Sequence, residues 1–454
     1  MSTGTKKLRD GSTLSRIIPM GILLAVLVAC NPAVSAPASA PRSGESALPT
    51  PSSPPSSTPD PAAAFRADID VMLDARDTIH FDGWHGMDRA TWLADANAVT
   101  ARASGLTDDE RLTELVRLAA MPTWAGRDGH SGIFPFSADS GTHLLPLRWW
   151  RFSDGLVITA ARPPYDELVG ARVEAINGRP IDEVLALVEP LVPRDNASNL
   201  LAYSAIYLRV GELLAGLGVI DAVSPMAFTV TDRDGVRRDV TIAPVPADQD
   251  RSWMPGAPHR LTATDAPWLR DQDTVLWWTH LADSETLFVQ FNAVRSPRSG
   301  VIREITERAA ADDVKRVVVD LRHYGGGDNT TLGALELALG DPVIDQPGRL
   351  FVIVGRVTFS AAANFATDLE RETTAIFVGE PMGGSPNLYG DSRRVDLPSI
   401  GQQLYMAARY WERSTPDDPR VTIEPTIAAE LSSDDYFAGR DPALASILEA
   451  TAQE

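Results

Sequence analysis

The chain has 454 residues, of which 44% are hydrophobic and 22% charged, and its formal net charge at pH 7 is -20. This length and hydrophobic content favour two or three globular domains with filled cores over a fibrous or disordered chain. A strongly acidic surface repels phosphate backbones, and no basic run follows the N-terminal segment. We therefore expect no nucleic-acid partner.

The N-terminal segment has the pattern of an export signal. Four basic residues precede the apolar run IIPMGILLAVLVA, which is too short for a comfortable membrane span. The run ends in LVAC, where Cys30 is the only cysteine of the chain. This segment resembles a bacterial lipoprotein signal, which implies cleavage before Cys30, a diacylglyceryl group on its thiol, and an extracytoplasmic, lipid-anchored location. The alternative is ordinary secretion, with cleavage near residues 36–40.

Composition and periodicity next divide the first half of the chain. Residues 1–29 form the signal, and residues 30–62 are rich in Pro, Ser and Ala, so they form a tether that cannot bury a core. Apolar residues at helical spacing predict a helical domain over residues 63–138. This domain ends in the segment RDGHSG and a following strand.

Short alternating segments predict a β domain over residues 139–250. Within it, Asp234-Gly235 lies where a tight hairpin turn requires positive φ. The arrangement resembles a PDZ-type domain with a partly helical insertion near residues 194–225. Domains of that type bind extended peptides along a sheet edge.

Strand and helix patterns alternate over residues 251–454. The segments TLFVQFNAV, VKRVVVDLR, RLFVIVG and TAIFVGE read as strands separated by amphipathic helices. This alternation predicts an α/β core with a mostly parallel sheet and right-handed crossovers. Ligands of such sheets bind beyond the carboxyl ends of the strands, where two motifs fall: DLRHYGGGD, from Asp320, and VTFSAAANF, from Val357.

Each motif on its own permits two interpretations. The glycines of the first motif expose N–H groups that can stabilise an oxyanion, but they also suit a tight connection between strand and helix. In the second motif, Ser360 ends a strand and starts a helix, near the positive end of the helix dipole. This position suits a nucleophile and equally suits an ordinary helix N-cap.

Together, the two motifs resemble those of the C-terminal processing (tail-specific) protease family and its tricorn relatives. The resemblance runs from about residue 63 to the stretch FAGRDPALASIL and includes a VGEP strand end. It implies an α/β fold with a crotonase/ClpP-like β/α core, an N-terminal helical domain and a PDZ-like domain. It also implies that Ser360 is a nucleophile, with an oxyanion hole formed by the N–H groups of Ala361 and of Gly326 or Gly327.

The chain departs from the family pattern at the catalytic lysine. The family places this lysine in the loop after VGEP, where the present chain has Ser385. After Cys30 the only lysine is Lys315, at the start of a strand. If the strands are parallel, Lys315 lies at the far end of the sheet from Ser360, so no Ser/Lys pair is available.

A serine nucleophile still needs a base, which near neutral pH is usually histidine. His130 in RDGHSG resembles the histidine of the family branch that lacks the lysine, and His323 in the glycine loop is the second candidate. The same branch implies an orienting glutamate, which corresponds to Glu424. Three other acidic residues compete for that role: Asp391, Glu412 and Asp418.

These features predict an exported serine peptidase that hydrolyses proteins or peptides by acyl transfer. We expect no cofactor and no metal, because the sequence shows no cysteine or histidine motif with metal-ligand spacing. One alternative is a non-catalytic protein that binds peptides or apolar ligands on the same scaffold, and another is an esterase or amidase. The distance between His130 and Ser360 discriminates the enzyme from the binding protein. No oligomeric state is predicted.

Overall fold

A computed structural model of the chain describes residues 60–253, 261–323 and 325–451. The predicted signal, with Cys30, and nearly all of the predicted tether lie outside these residues. Across the described ranges, every helix is too short or too polar to cross a bilayer. The lipid anchor therefore stays a prediction from sequence.

Helices open the described part of the chain. They are α1 (Pro61–Thr78), α2 (Arg89–Thr100) and α3 (Asp108–Ala120). The helix α3 begins at the predicted capping box, in which the Thr107 hydroxyl accepts the Glu110 N–H and the Glu110 carboxylate accepts the Thr107 N–H. Phe65, Ile69 and Met72 are buried on one face of α1, as their spacing predicts.

An antiparallel sheet occupies the next part of the chain. Short strands precede and follow it: β1 (Gly132–Ile133), β2 (His143–Leu144) and β9 (Val245–Pro246). The strands of the sheet are β3 (Leu147–Phe152), β4 (Gly155–Ala161), β5 (Arg172–Ile176), β6 (Arg179–Pro180), β7 (Met226–Thr231) and β8 (Arg237–Ile242). The sheet order is β3-β4-β5-β7-β8, and β6 pairs with β5. Gly235 has a φ of 80° at the predicted turn between β7 and β8.

Helices accompany this sheet, partly where an insertion is expected. They are α4 (Ile181–Val188), α5 (Ala197–Tyr207), α6 (Gly211–Gly216) and α7 (Ala247–Trp253). Both α5 and α6 lie within the predicted insertion near residues 194–225. Their buried side chains share one core with the three N-terminal helices and the antiparallel sheet.

The second half of the described chain forms the expected parallel sheet. Its elements are β10 (Leu276–Leu281), β11 (Thr286–Phe291), α8 (Val301–Ala309), β12 (Arg316–Asp320), α9 (Gly333–Leu339), β13 (Leu350–Val354), α10 (Ala361–Glu372), β14 (Ile376–Gly379), and further on β17 (Ile427–Ala428), α11 (Ser433–Phe437) and α12 (Pro442–Thr451). The order is β10-β11-β12-β13-β14-β17, in which only β10 runs antiparallel to its neighbour. The predicted α/β class is therefore confirmed.

A long antiparallel hairpin joins the two halves. It consists of β15 (Asn387–Leu397) and β16 (Gln402–Glu412), and β1 pairs with β16 to make a three-stranded sheet. The pairing of β15 with β16 is interrupted at Asp391, which has a φ of 53°, and continues beyond it in the same register. Because β1 starts two residues after His130, this hairpin helps to place that histidine.

Candidate active site

The turn before α10 positions Ser360. The strand β13 ends at Val354, so Gly355–Phe359 lie between strand and helix, and the direct strand-to-helix step expected from the sequence is wrong. Thr358 fixes this turn, because its hydroxyl donates to the Leu321 carbonyl at 3.1 Å and accepts the Gly355 N–H at 3.0 Å. The turn is thereby tied to the end of β12, next to the glycine loop.

Ser360 itself has an unusual backbone conformation. Its φ of 55° and ψ of -129° lie outside the regions that L-residues ordinarily occupy. Such a conformation costs roughly 1–3 kcal/mol and is maintained by the surrounding structure. In the described part of the chain, its hydroxyl caps no helical N–H, although Ser360 is the N-cap of α10. An ordinary capping serine would make that bond.

The Ser360 hydroxyl bonds instead to a histidine from the first half of the chain. The Oγ atom of Ser360 lies 2.9 Å from Nε2 of His130, within the range expected between a nucleophile and its base. The ring of Phe359 stacks on the His130 ring at 4.4 Å between centroids. Two side chains 230 residues apart in sequence are thus brought into direct contact.

Main-chain bonds hold the His130 segment in place. The Gly129 N–H donates to Oδ1 of Asp195 at 2.6 Å, and the Ser392 hydroxyl of β15 donates to the His130 carbonyl at 2.8 Å. The Ala407 N–H of β16 donates to the Ser131 hydroxyl at 3.0 Å. The histidine is therefore fixed from both sides along the backbone.

The His130 ring is neutral at neutral pH. Burial lowers the pKa of His130 to about 4, against the opposing influence of the Asp128 and Asp391 carboxylates and the Tyr389 main chain. A neutral imidazole is the form that accepts a proton from serine. The Nδ1 atom is buried and has no hydrogen-bond partner among the described residues, so no carboxylate bonds directly to this ring.

The predicted oxyanion-hole residues lie around Ser360. A methyl group added at Gly326, where φ is 137°, would lie 2.7 Å from Cβ of Ser360 and 3.0 Å from the nitrogen of Ala361. Val294 pairs with the Gly326 carbonyl and the Asp328 N–H, which leaves the N–H of Gly327 outside that bridge. The N–H of Ala361 is at the start of α10, where amides have no acceptor within the helix.

Neither Ser385, at the position of the family's lysine, nor Lys315 supplies a base. Ser385 is fully buried, its N–H donates to Oδ2 of Asp195 at 3.0 Å, and its hydroxyl donates to the Val421 carbonyl. Lys315 is exposed and donates to the Asp312 carbonyl at the start of β12. Since β12 and β13 are parallel, Lys315, just before β12, lies at the opposite end of the strands from Ser360, which follows β13.

The structure does not bring the predicted acid to the base. Glu424 is exposed, and within the described ranges it makes no hydrogen bond with the His130 ring. Its catalytic role therefore stays a prediction. His323, the second candidate base, is buried and stacks on Trp268 at 5.5 Å between centroids, away from the hydroxyl of Ser360.

The competing acids differ in their surroundings. Asp418 forms an ion pair with Arg420, whose hydrogen bonds hold the Asp418 pKa well below its usual range. Glu412 is exposed at the end of β16. Asp391 is half-exposed on β15, and only its charge reaches His130. None of these three is hydrogen-bonded to the His130 ring among the residues described.

One group of side chains has spacing that metal ligands also show. Donor atoms of His80, His85 and Asp128 lie within 4.8 Å of one another. However, the Asp82 N–H donates to Nδ1 of His80 at 3.0 Å, so the neutral ring carries its proton on Nε2 and donates it to Asp128 at 3.0 Å. A ligating histidine must offer a lone pair there instead. The arrangement fits a hydrogen-bonded cluster and not a metal ion.

Sequence reasoning missed two buried carboxylates near His130. Asp195 connects the Gly129 and Ser385 backbones, and Asp128 belongs to the histidine cluster described above. Burial raises the pKa of Asp195 to about 7, outweighing its two amide hydrogen bonds. The DGH spacing places Asp128 two residues before the base, and this is the signal that a sequence reader would have had for it.

Comparisons with known proteins identify the fold. No family model and no curated protein matches the chain. Among solved structures, mature CPAF in complex with lactacystin aligns over 86% of this chain and 97% of its own, with 13% identity and a TM-score of 0.58. The photosystem II D1 C-terminal processing protease aligns over 81% and 92%, with 13% identity and a TM-score of 0.39. A peptidase structure from Parabacteroides merdae covers 85% and 96%, with 12% identity and a TM-score of 0.43.

At this identity the CPAF likeness shows the fold alone, and it covers nearly the whole of both chains. The C-terminal processing protease, tricorn and other peptidase structures are also among the neighbours. The chain therefore has the fold of mature CPAF.

Proposed function

We propose that this protein is a serine-type peptidase that hydrolyses proteins or peptides through Ser360 and His130. The observation that supports this best is the 2.9 Å contact between Oγ of Ser360 and Nε2 of His130. A histidine kept as a passive structural element has no need of a serine in a strained backbone conformation beside it. The likeness of the fold to that of mature CPAF adds to the proposal.

The first half of the reaction forms an ester on the serine. The Ser360 oxygen attacks the scissile carbonyl carbon, the Ser360 proton moves to Nε2 of His130, and the carbonyl π electrons move onto oxygen. The N–H groups of Ala361 and of Gly326 or Gly327 stabilise that oxyanion. The tetrahedral intermediate then breaks its C–N bond, and His130 protonates the leaving amine.

The second half uses water in place of the serine. Water loses a proton to His130 as it adds to the acyl carbon, and the new oxyanion occupies the same hole. When this intermediate collapses, the C–O bond to Ser360 breaks and the serine oxygen recovers its proton from His130. The products are an amine and a carboxylic acid, so no cofactor is required.

We also propose that the enzyme works outside the cytoplasm on a lipid anchor. This part of the proposal is supported by the sequence alone, through the basic residues, the short apolar run and Cys30.

The experiment that tests the proposed chemistry is labelling of the full chain with a fluorophosphonate, followed by peptide mass spectrometry. We expect an adduct on Ser360 in the wild type and none in Ser360→Ala or His130→Ala. His323→Ala is the matched control, because it removes a buried histidine that does not contact Ser360. Absence of an adduct in the folded wild type would contradict the proposal and favour the binding-protein alternative.

Labelling alone does not separate a peptidase from an esterase. An unfolded protein substrate, incubated with wild type and with Ser360→Ala, makes that distinction. We expect cleavage by the wild type only. Turnover of a small ester without cleavage of the protein would contradict the peptidase assignment and leave an esterase.

A further inference from the structure

A buried charged cluster lies directly behind the His130 segment. Its members are Arg76 on α1, His80 and His85 in the loop after α1, and Asp128. The side chains of His80 and Asp128 are fully buried, and Nε2 of His80 lies 3.0 Å from Oδ2 of Asp128. Arg76 is also buried and donates to the carbonyls of Gly83 and Ala119. Ionised side chains are rarely buried so completely unless they are paired, as they are here.

Hydrogen bonds to Asp82 define the charge of this cluster. Its N–H donates to Nδ1 of His80, which leaves the His80 proton on Nε2, and its carbonyl accepts the Nδ1 proton of His85 at 2.9 Å. His80 is therefore neutral, and because burial lowers the pKa of His85, that ring is neutral at neutral pH as well. Although burial opposes ionisation, the His80 bond and the nearby Arg76 hold the pKa of Asp128 below its usual value. Asp128 thus carries a full negative charge at neutral pH.

The cluster is in contact with the surroundings of His130. The Tyr389 ring packs on His85 at 4.3 Å between centroids and on His80 at 5.1 Å, and its N–H donates to the Arg127 carbonyl at 2.8 Å. The main chain of Tyr389 also adjoins the His130 ring. One residue therefore connects the cluster to the base.

One carboxylate oxygen of the cluster is unsatisfied. Within the described residues, Oδ1 of Asp128 is buried without a hydrogen-bond partner, whereas the His130 ring has the Tyr389 main chain as a neighbour. Asp128 exerts the largest charge effect on His130, ahead of Asp391. The Asp391 side chain is 48% exposed, so solvent screens its charge, whereas the charge of Asp128 acts through a buried, weakly polarisable interior.

We propose that Asp128 is the carboxylate that supports His130 in this enzyme, acting through its buried charge from the cluster with Arg76, His80 and His85. This inference rests on the proposed peptidase function. Asp128 is a positioning residue, since it touches neither substrate nor the serine. When the Ser360 proton moves to Nε2, His130 becomes an imidazolium ion, and the fixed negative charge stabilises that ion in the transition state.

The charged and titratable groups around Asp128 come from several elements. They are Arg76 from α1, His80 and His85 from the following loop, His130, Asp195 before α5 and Tyr389 from β15. Of these, Arg76 opposes the effect, because its positive charge disfavours a second cation nearby. Its guanidinium is directed to two main-chain carbonyls, and both histidines are neutral, so the Asp128 charge is not fully compensated at His130.

The test compares fluorophosphonate labelling rates of the full chain over pH 3 to 9 for Asp128→Asn, for Asp391→Asn and Glu424→Gln, and for the control Asp396→Asn. We expect Asp128→Asn to lower the rate at pH 7 by about tenfold or more and to move the acid limb to lower pH. Asp391→Asn and Glu424→Gln remove the rival carboxylates, so a loss of about tenfold in either would overturn the proposal, whereas the control Asp396→Asn removes an exposed carboxylate of β15 and should stay within about threefold of wild type. A folded Asp128→Asn variant with the wild-type rate and acid limb would overturn the proposal.

Two further readouts keep the proposal falsifiable. If Asp128→Asn fails to fold, a drop of about tenfold in Glu424→Gln or Asp391→Asn still overturns it, whereas near-wild-type rates in both support it. Secondly, ¹⁵N shifts of the His130 ring, followed against pH in Ser360→Ala, measure the charge effect without chemistry. A midpoint that Asp128→Asn leaves unchanged contradicts the inference, while a wild type that never labels contradicts the proposed function instead.

Discussion

The close contact between Gly326 and Ser360 gives a sharp prediction for Gly326→Ala. The new methyl carbon would lie 2.7 Å from Cβ of Ser360 and 3.0 Å from both Oγ of Ser360 and the Ala361 nitrogen. Non-bonded carbons pack at about 3.5–4.0 Å, so the serine or the glycine loop must move by about 1 Å. A displacement of about 1 Å costs on the order of 10²-fold in rate, and loss of one oxyanion donor costs about 10²–10³-fold. We therefore expect the labelling rate to fall by at least about 10²-fold.

The control must separate this steric effect from backbone strain. Gly178→Ala is suitable, because Gly178 also has a positive φ, of 76°, but no atom lies within 4 Å of its added methyl group. We expect Gly178→Ala to lose about 1–2 kcal/mol of stability and to keep its labelling rate. Both variants are compared by urea unfolding and by fluorophosphonate labelling at pH 7. Labelling of folded Gly326→Ala within about threefold of wild type would refute the steric argument and the place of Gly326 beside the reacting atoms.

Two further predictions concern a buried carboxylate and the proposed anchor. Burial raises the pKa of Asp195 to about 7 from an unfolded value of 3.8. Between these two values the folded protein binds more protons than the unfolded chain. The free energy of unfolding should therefore fall as pH rises through this window, by up to about 4 kcal/mol. Because the lowered pKa of His130 gives the opposite slope over part of this window, the measured quantity is the difference in stability between wild type and Asp195→Asn by urea unfolding from pH 4 to 8, and parallel pH profiles would contradict the prediction. Cys30→Ala should move the protein from the membrane fraction to the soluble fraction, and retention at the membrane would exclude the thiol as the anchor.

Local patterns in the sequence predict much of the fold. The parallel sheet follows from short apolar runs that alternate with amphipathic helices, and the hairpin turn at Gly235 follows from its Asp-Gly pair. The long β15–β16 hairpin was not predicted. The outer part of β15 is exposed on both faces, so its two-residue periodicity is weak.

The site could be predicted from sequence only where its residues lie in recognisable motifs. Ser360 and His130 each stand in such a motif, and the structure brings them together. The contacts of Asp128 and Asp195 depend on segments that are distant in the chain, such as the loop after α1 and the loop bearing Ser385. No local pattern records such contacts, because they form only when the sheets and helices pack.

The distribution of the site along the chain also determines when it is completed during synthesis. The ribosome synthesises His130 early and Ser360 230 residues later. The strand residues that fix His130, Ser392 and Ala407, are synthesised later still. A nascent chain on the ribosome therefore carries a histidine with nothing to deprotonate. On the proposed function, chains truncated before Ala407 should be inert, because the strand residues that fix His130 are then incomplete.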